Sequence, residues 1–267
     1  MDIQYLIIPE YIKDLVISER DSSLKNSPLL KLNGPKFAIL GDTHGAIHVS
    51  DEGFRYLNQG YTVIMLGDLV DRGPNSLMNL LYALEMSFLT GKVIIIRGNH
   101  ESSLTNPFYG FLDELKNNDI EWLYEFILSS FASLPPAILL NGKILCVHGG
   151  IPSSEDNIGN FEKLPRDDFE PSNKVLFEIL WNDPREYIEG FLPSTRGDGA
   201  FFFGEDVFDK FMKSNHLDYI IRGHEVKMSG IAYNFHGRMI TVFSSEYHGG
   251  KKGILLIEDG KFKNVII

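Results

Sequence analysis

Residues 61–73 read YTVIMLGDLVDRG. Val63, Ile64, Met65 and Leu66 are apolar without alternation, the pattern of a strand covered on both faces. Gly67 ends that strand, so Asp68 emerges at its carboxyl end, the edge at which α/β sheets carry their chemistry. Four further stretches repeat the arrangement: FAILGDTHG at 37–45, VIIIRGNHE at 93–101, ILCVHGG at 144–150 and YIIRGHE at 219–225. Each apolar strand delivers Asp, Asn or His to one edge. A glycine and an aspartate after a single strand are ordinary turn chemistry. Five such strands predict a functional edge.

The chain between these strands reads as alternating helices and turns. Residues 50–59 predict a short helix opened by Ser50 and closed by Gly60, which makes a βαβ unit with strands 37–41 and 61–66. Pro74 lies just inside a longer helix to about Thr90, with Leu77, Leu80, Leu81 and Leu84 on one stripe, and Gly91 then admits strand 92–97. Residues 107–133 read as two helices burying Trp122, Phe126, Ile127 and Phe131, a core stripe with no chemistry of its own. Strands 137–140 and 143–148 join at Asn141-Gly142, a hairpin signal. The polar stretch 152–173 reads as a surface loop, and 174–181 and 205–215 as helices. From 218 short strands dominate, at 218–222, 229–234, 238–243, 253–258 and 261–266. Residues 10–27 predict a polar amphipathic helix or adaptor ahead of the first core strand, ended by Pro28 and the Asn33-Gly34-Pro35 turn. The expected fold class is α/β (α+β), a β-sandwich of two mixed sheets packed face to face with helices outside.

Composition limits the function classes. The 267 residues suffice for a sizeable core, and with no linker in sight one domain is expected. No stretch approaches the ~18 consecutive apolar residues of a membrane helix, and the N-terminus lacks a basic region and cleavage site for secretion. Cys146 is the one cysteine, so disulfides cannot support the fold and a reducing cytoplasm fits. A net charge of −11 argues against a nucleic-acid partner held on a broad basic surface. A local cationic site would have to come from metal ions.

Asp42, His44, Asp68, Asn99, His148 and His224 stand in that order at strand ends. Asp, Asn and His suit divalent Mn, Fe or Zn, and two such ions ~3.5–4 Å apart can activate water and clamp a phosphoryl group. Asp68, between the two sets, would bridge the pair. Cysteine is absent from the set, against a structural zinc finger. Any one of these residues alone is as easily a turn former or a satisfied core histidine; the six together point to a dinuclear centre. His48, His216, His236 and His248 fall outside the motifs and are expected to be solvated or satisfied.

The motifs GDTHG, GDLVDRG, GNHE, HGG, WNDP, RGDGAFFFG and RGHE, followed by FSS at 243–245 and with YGF at 109–111, resemble the phosphoprotein phosphatase family of serine/threonine phosphatases within the calcineurin-like metallophosphoesterases. The resemblance implies one catalytic domain over 1–267 with an N-terminal helical extension at 1–35, and two divalent metal ions, manganese before iron or zinc. Asp42 and His44 would hold one ion and Asn99, His148 and His224 the other, with Asp68 shared. It implies that Arg72 and Arg196 clamp phosphate oxygens, with Asn99 also at the phosphate. His100, paired with Asp71, would protonate the departing serine or threonine oxygen while a metal-bridging hydroxide attacks phosphorus in line. Glu101 and Glu225 would orient ligands or serve as ion-pair partners. Phosphoproteins are the implied substrates.

Two features depart from the family pattern. FSSEYH at 243–248 replaces the usual Pro-Asn-Tyr run after Phe-Ser, leaving Tyr247 as the candidate for the family's tyrosine near the phosphate. RGDGAFFFG has one residue more than the common eukaryotic spacing. The chain also lacks the long regulatory tails of many eukaryotic relatives and resembles a bare catalytic core. A hydrolase of dinucleoside polyphosphates or other small phosphoesters shares the first three motifs and is the alternative activity, while WNDP, the Arg196 loop and RGHE favour the protein phosphatase. An inactive scaffold is opposed by the intact ligand set.

Overall fold

The computed structural model describes residues 8–267. Part of the segment read as lacking a secretion signal, residues 1–7, lies outside that range. Two mixed sheets form the centre. The first contains β2 (Lys36–Leu40), β3 (Thr62–Met65), β4 (Val93–Ile95), β13 (Gly253–Glu258) and β14 (Lys261–Ile266) in the order β14-β13-β2-β3-β4. The second contains β1 (Leu29–Leu32), β5 (Ala137–Leu140), β6 (Ile144–Val147), β10 (Tyr219–Arg222), β11 (Ile231–Asn234) and β12 (Met239–Val242) in the order β1-β5-β6-β10-β12-β11. β2, β3 and β4 run parallel in register, as do β6, β10 and β12, so their carboxyl ends share an edge.

The unbroken apolar strands follow from burial on both faces. Ile39, Ile64, Leu66, Ile138, Cys146, Ile221, Ile240 and Leu255 fill the space between the sheets. On the outer side of the five-stranded sheet, Leu40, Val63, Met65 and Leu256 meet α1 (Pro9–Ser23), α3 (Ser76–Thr90), α5 (Phe111–Asn117) and α6 (Tyr124–Ser133). On the outer side of the six-stranded sheet, Leu145, Val147, Ile220 and Met239 meet α7 (Lys174–Trp181) and α8 (Glu205–Ser214). Residues of one strand thus alternate between two apolar layers, and no polar alternation survives. Among the described residues no helix is long and apolar enough to cross a membrane.

Several local expectations need correction. Ser50 does not open its helix: α2 runs Ile47–Phe54, and the buried Ser50 hydroxyl donates to Asn79 Oδ1 at 2.7 Å. The 3-10 turn Arg55–Gln59 then ends at Gly60 in the left-handed region. Pro74 precedes α3, which starts at Ser76. The expected helix pair at 107–133 is α4 (Asn106–Tyr109), α5 and α6, and while Ile127 and Phe131 are buried, Trp122 is exposed and Phe126 half-buried. Of the two readings of residues 10–27, the structure has the amphipathic helix, α1, and it belongs to the core. Ile12, Leu15 and Val16 of α1 join the core layer against α3 and α6, and Leu29–Leu32, which gave no strand signal, pairs parallel with β5. Within the 152–173 loop, Ile158, Phe161 and Leu164 anchor a 3-10 segment, Ile158–Lys163, in the core. WNDP and RGDGAFFFG, read only as motifs, contribute to a small third sheet of β7 (Asp183–Pro184), β8 (Phe191–Pro193) and β9 (Phe201–Phe203).

Candidate active site

The parallel strands bring all six strand-end residues to one place. Gly41 and Gly67 make this possible because a side chain at either would collide with backbone, of Val242 in one case and of Gly98 in the other. Past Gly67 the chain turns through Asp68 in the left-handed region (φ 55°). Glu101 holds that turn. Its buried carboxylate accepts from the backbone N–H of Asp68 (2.7 Å), Leu69 (2.9 Å) and Gly98 (2.9 Å), joining the loop after β3 to the loop after β4. Burial, followed by the neighbouring Asp68 charge, pushes the Glu101 pKa up to about 7.

The donor atoms then converge. His44 Nδ1 donates to Val70 O at 2.7 Å, which turns Nε2 toward Asp42 Oδ2 (3.8 Å) and Asp68 Oδ2 (3.6 Å). His148 Nδ1 donates to Leu66 O at 2.7 Å, which leaves Nε2 facing Asn99 Oδ1 (2.8 Å), His224 Nδ1 (3.2 Å) and Asp68 Oδ2 (3.3 Å). Asp42 Oδ1 accepts from His224 N at 2.7 Å, and Asp68 Oδ1 from His100 N at 2.9 Å. With each Nδ1 proton committed to a carbonyl, the inward nitrogen of a neutral His44 or His148 is an acceptor among other acceptors. A proton or a metal cation resolves that crowding. The buried Nε2 of His224 has no hydrogen-bond partner. His148 takes up the proton: burial disfavours its charge, yet the Asp68 carboxylate lifts its pKa to about 9. Burial and then neighbouring groups, His100 for His44 and Arg196 for His224, lower the pKa of those two imidazoles, His44 to about 3. Oxygen and imidazole donors in this arrangement, with the outer nitrogens of His44 and His148 bound to backbone carbonyls, fit a divalent metal pair.

The remaining groups surround this cluster. His100 Nδ1 bonds Asp71 Oδ2 at 2.7 Å, and Asp71 also accepts from Asn106 Nδ2 (3.0 Å) and Phe111 N (3.0 Å). His44, Asp68 and His100 offer ligand atoms within 4.8 Å of one another, but one His100 nitrogen is committed to Asp71. Arg72 and Arg196 line the same cleft, of about 380 Å³, with Asp42, Asp68, Asn99, His100, Tyr247 and His224. Tyr247 lies edge-on to His44 at 5.3 Å between centroids. Among the excluded histidines, His48 pairs with Glu246 (3.2 Å) and His236 with Glu205 (3.4 Å), and His216 is exposed. His248 lines the cleft beside Tyr247.

Sequence reasoning missed the network behind Arg196. Asp183 of WNDP, fully buried, bonds Arg196 Nε on one oxygen and Arg222 Nη2 (2.8 Å) on the other. Arg222 continues to Glu225 (2.8 Å), which bonds Arg185 (2.6 Å), so Glu225 is an ion-pair partner and not a ligand-orienting group. The quoted motifs contained Asp183 and Arg222, but only the fold joins them across 39 positions.

A family model described as calcineurin-like phosphoesterase matches residues 35–228. The chain is 34% identical over 260 residues to a Saccharomyces cerevisiae protein named serine/threonine-protein phosphatase T, covering 93% of this chain and 50% of that protein. It is 34% identical over 223 residues to a probable serine/threonine-protein phosphatase of Encephalitozoon cuniculi, covering 80% and 48% respectively. This chain therefore spans about half the length of these curated relatives. Among solved structures, a Saccharomyces cerevisiae protein serine/threonine phosphatase described as similar to human phosphatase PP5 superposes with a TM-score of 0.89 at 29% identity, over 98% of this chain and 90% of that one.

Proposed function

The chain belongs to the calcineurin-like phosphoesterase family, and from that premise we propose that it hydrolyses phosphoserine and phosphothreonine in proteins. One observation carries the reading. Asp42, His44, Asp68, Asn99 and His224 of the acceptor cluster, two arginines and His100, backed by the buried Asp71, line a single cleft, and the relatives that match most of this chain are named serine/threonine phosphatases.

In this reading Asp42 and His44 would hold one ion, Asn99, His148 and His224 would hold the other, and Asp68 would be shared between the two sets. Divalent ions bound there would supply positive charge that lowers the pKa of water and offsets the charge of phosphate oxygens. The absence of thiolate donors suits manganese, iron or zinc, with manganese our choice. Arg196, fixed by Asp183, and Arg72 face the phosphate with forked N–H donors, and the Asn99 amide lines the same cleft. Asp71, itself held by Asn106 and Phe111, fixes the Nδ1 proton of His100. The opposite ring nitrogen is then free to give its proton to the departing alkoxide. The substrates are phosphoproteins, and the buried, unpaired Cys146 suits a cytoplasmic enzyme.

Phosphate release by the manganese-loaded protein, measured side by side on a phosphothreonine peptide and diadenosine tetraphosphate, tests the assignment. Faster hydrolysis of the peptide is expected. Preference for the nucleotide would move the substrate class to dinucleoside polyphosphates, and release from neither would leave a binding module.

A further inference from the structure

Arg72 and Arg196 line one cleft, yet they are held by different means. Arg196 is tied to the buried Asp183 carboxylate and to His224 O (3.3 Å). The Arg72 guanidinium has, among the described residues, neither a carboxylate nor a hydrogen-bond acceptor. Instead its central carbon lies 4.4 Å from the ring centroid of Tyr109 and 5.4 Å from that of Tyr247. Its backbone is fixed too. Asp71 and Arg72 are consecutive left-handed residues (φ 69° and 66°), and Arg72 N donates to Tyr109 O at 2.8 Å. Tyr109 therefore holds Arg72 by ring and by carbonyl.

We propose that Tyr109 and Tyr247 are positioning residues for phosphate recognition, holding Arg72 in place without neutralising it. A carboxylate partner would occupy guanidinium N–H groups and offset the charge. Aromatic faces attract the cation while accepting none of its conventional hydrogen bonds, so all five donors stay available to an anion. Asp183 anchors one arm of the clamp, and the two rings steer the other. The proposal takes from the phosphatase reading only the identity of the anion.

Both rings also touch histidines: Tyr247 is edge-on to His44 at 5.3 Å and Tyr109 to His100 at 5.0 Å. The test must separate action through Arg72 from action through those neighbours. Inorganic phosphate binding to the manganese-loaded protein is measured by titration calorimetry, beside KM and kcat on a phosphothreonine peptide. Tyr109→Leu and Tyr247→Leu are each expected to weaken phosphate binding about fivefold. Peptide KM should rise in parallel and kcat move less. Tyr109→Phe and Tyr247→Phe keep the rings and should keep the affinity. In an Arg72→Ala background the same leucine substitutions should change affinity less than about twofold, since their effect passes through the missing guanidinium. Equal weakening with and without Arg72, or no weakening at all, overturns the proposal. Coupled phosphate binding in a protein that never hydrolyses the peptide would sink the phosphatase reading and leave the tyrosine pair supported.

Discussion

His100 is the residue whose role most depends on its surroundings. Asp71 takes one ring nitrogen at 2.7 Å and is itself held by Asn106 and Phe111, so the ring has one orientation and one remaining site for a transferable proton. If that proton goes to the departing oxygen, the demand for it depends on the leaving group. We expect His100→Ala to retain both metal ions by elemental analysis and to lose about a hundredfold or more in turnover on a phosphothreonine peptide. The loss on p-nitrophenyl phosphate, whose leaving group hardly needs an acid, should stay within about tenfold. Equal losses on the two substrates would remove His100 from that role. At this scale the convergence of the six residues was legible because each follows an apolar strand, Asp42 and His44 sharing one, a local pattern. Asp183 and Arg222 were not, because their function is a mutual contact between residues far apart in the chain. Glu101 was half legible: its place directly after Asn99 and His100 could be read, but not that it holds three backbone N–H groups across two loops.

Helix starts were the least legible feature among the elements, and α3 explains why. The sequence suggested Pro74 as its opening, yet α3 begins at Ser76 with no side-chain cap from its own N-cap residue, Asn75. The cap comes instead from Glu114 on α5, whose Oε1 accepts from Leu77 N at 3.1 Å. No local pattern announces a cap supplied 37 positions later. Ser50 failed in the opposite sense, a good capping residue turned inward to Asn79 by packing. The Glu114 cap has a measurable consequence. Burial pushes its pKa up to about 7, against the opposing pull of the Leu77 and Ser76 N–H groups. The folded value exceeds the unfolded one, so this contribution to stability is complete below about pH 4.5 and disappears as pH rises through about 7. Glu114→Gln removes that titration. From about pH 5 to about pH 8 the wild-type midpoint should fall relative to the variant by about one to two degrees, a modest span because solvent screens a half-exposed group. Parallel pH profiles for the two proteins would sink the assignment.

Across the whole molecule, the layered architecture was legible and the place of α1 was not. Unbroken apolar strands require cover on both faces, which leads to two sheets with helices outside. The amphipathic pattern of α1 does not say what it packs on, and only the fold puts Ile12, Leu15 and Val16 into the same layer as α3 and α6. The proposed metal centre adds a constraint at this largest scale. Asp42, Asp68 and Asn99 follow β2, β3 and β4 of one sheet, whereas His148 and His224 follow β6 and β10 of the other. Direct hydrogen bonds already cross between them, from His224 N to Asp42 at 2.7 Å and from His148 to Leu66 O at 2.7 Å. Ions bound to this set would join the two sheets at the edge where their carboxyl ends meet, and binding to the folded state alone would stabilise it. At a free concentration about a thousandfold above Kd the gain is about 4 kcal/mol, or roughly 10 °C in midpoint for a chain of this size. Chelation should therefore lower the midpoint by that order, and amide exchange should rise together at the loops after β3, β4, β6 and β10. Loss of protection confined to one sheet, or a midpoint indifferent to chelator, would mean that the ions do not bridge the sandwich.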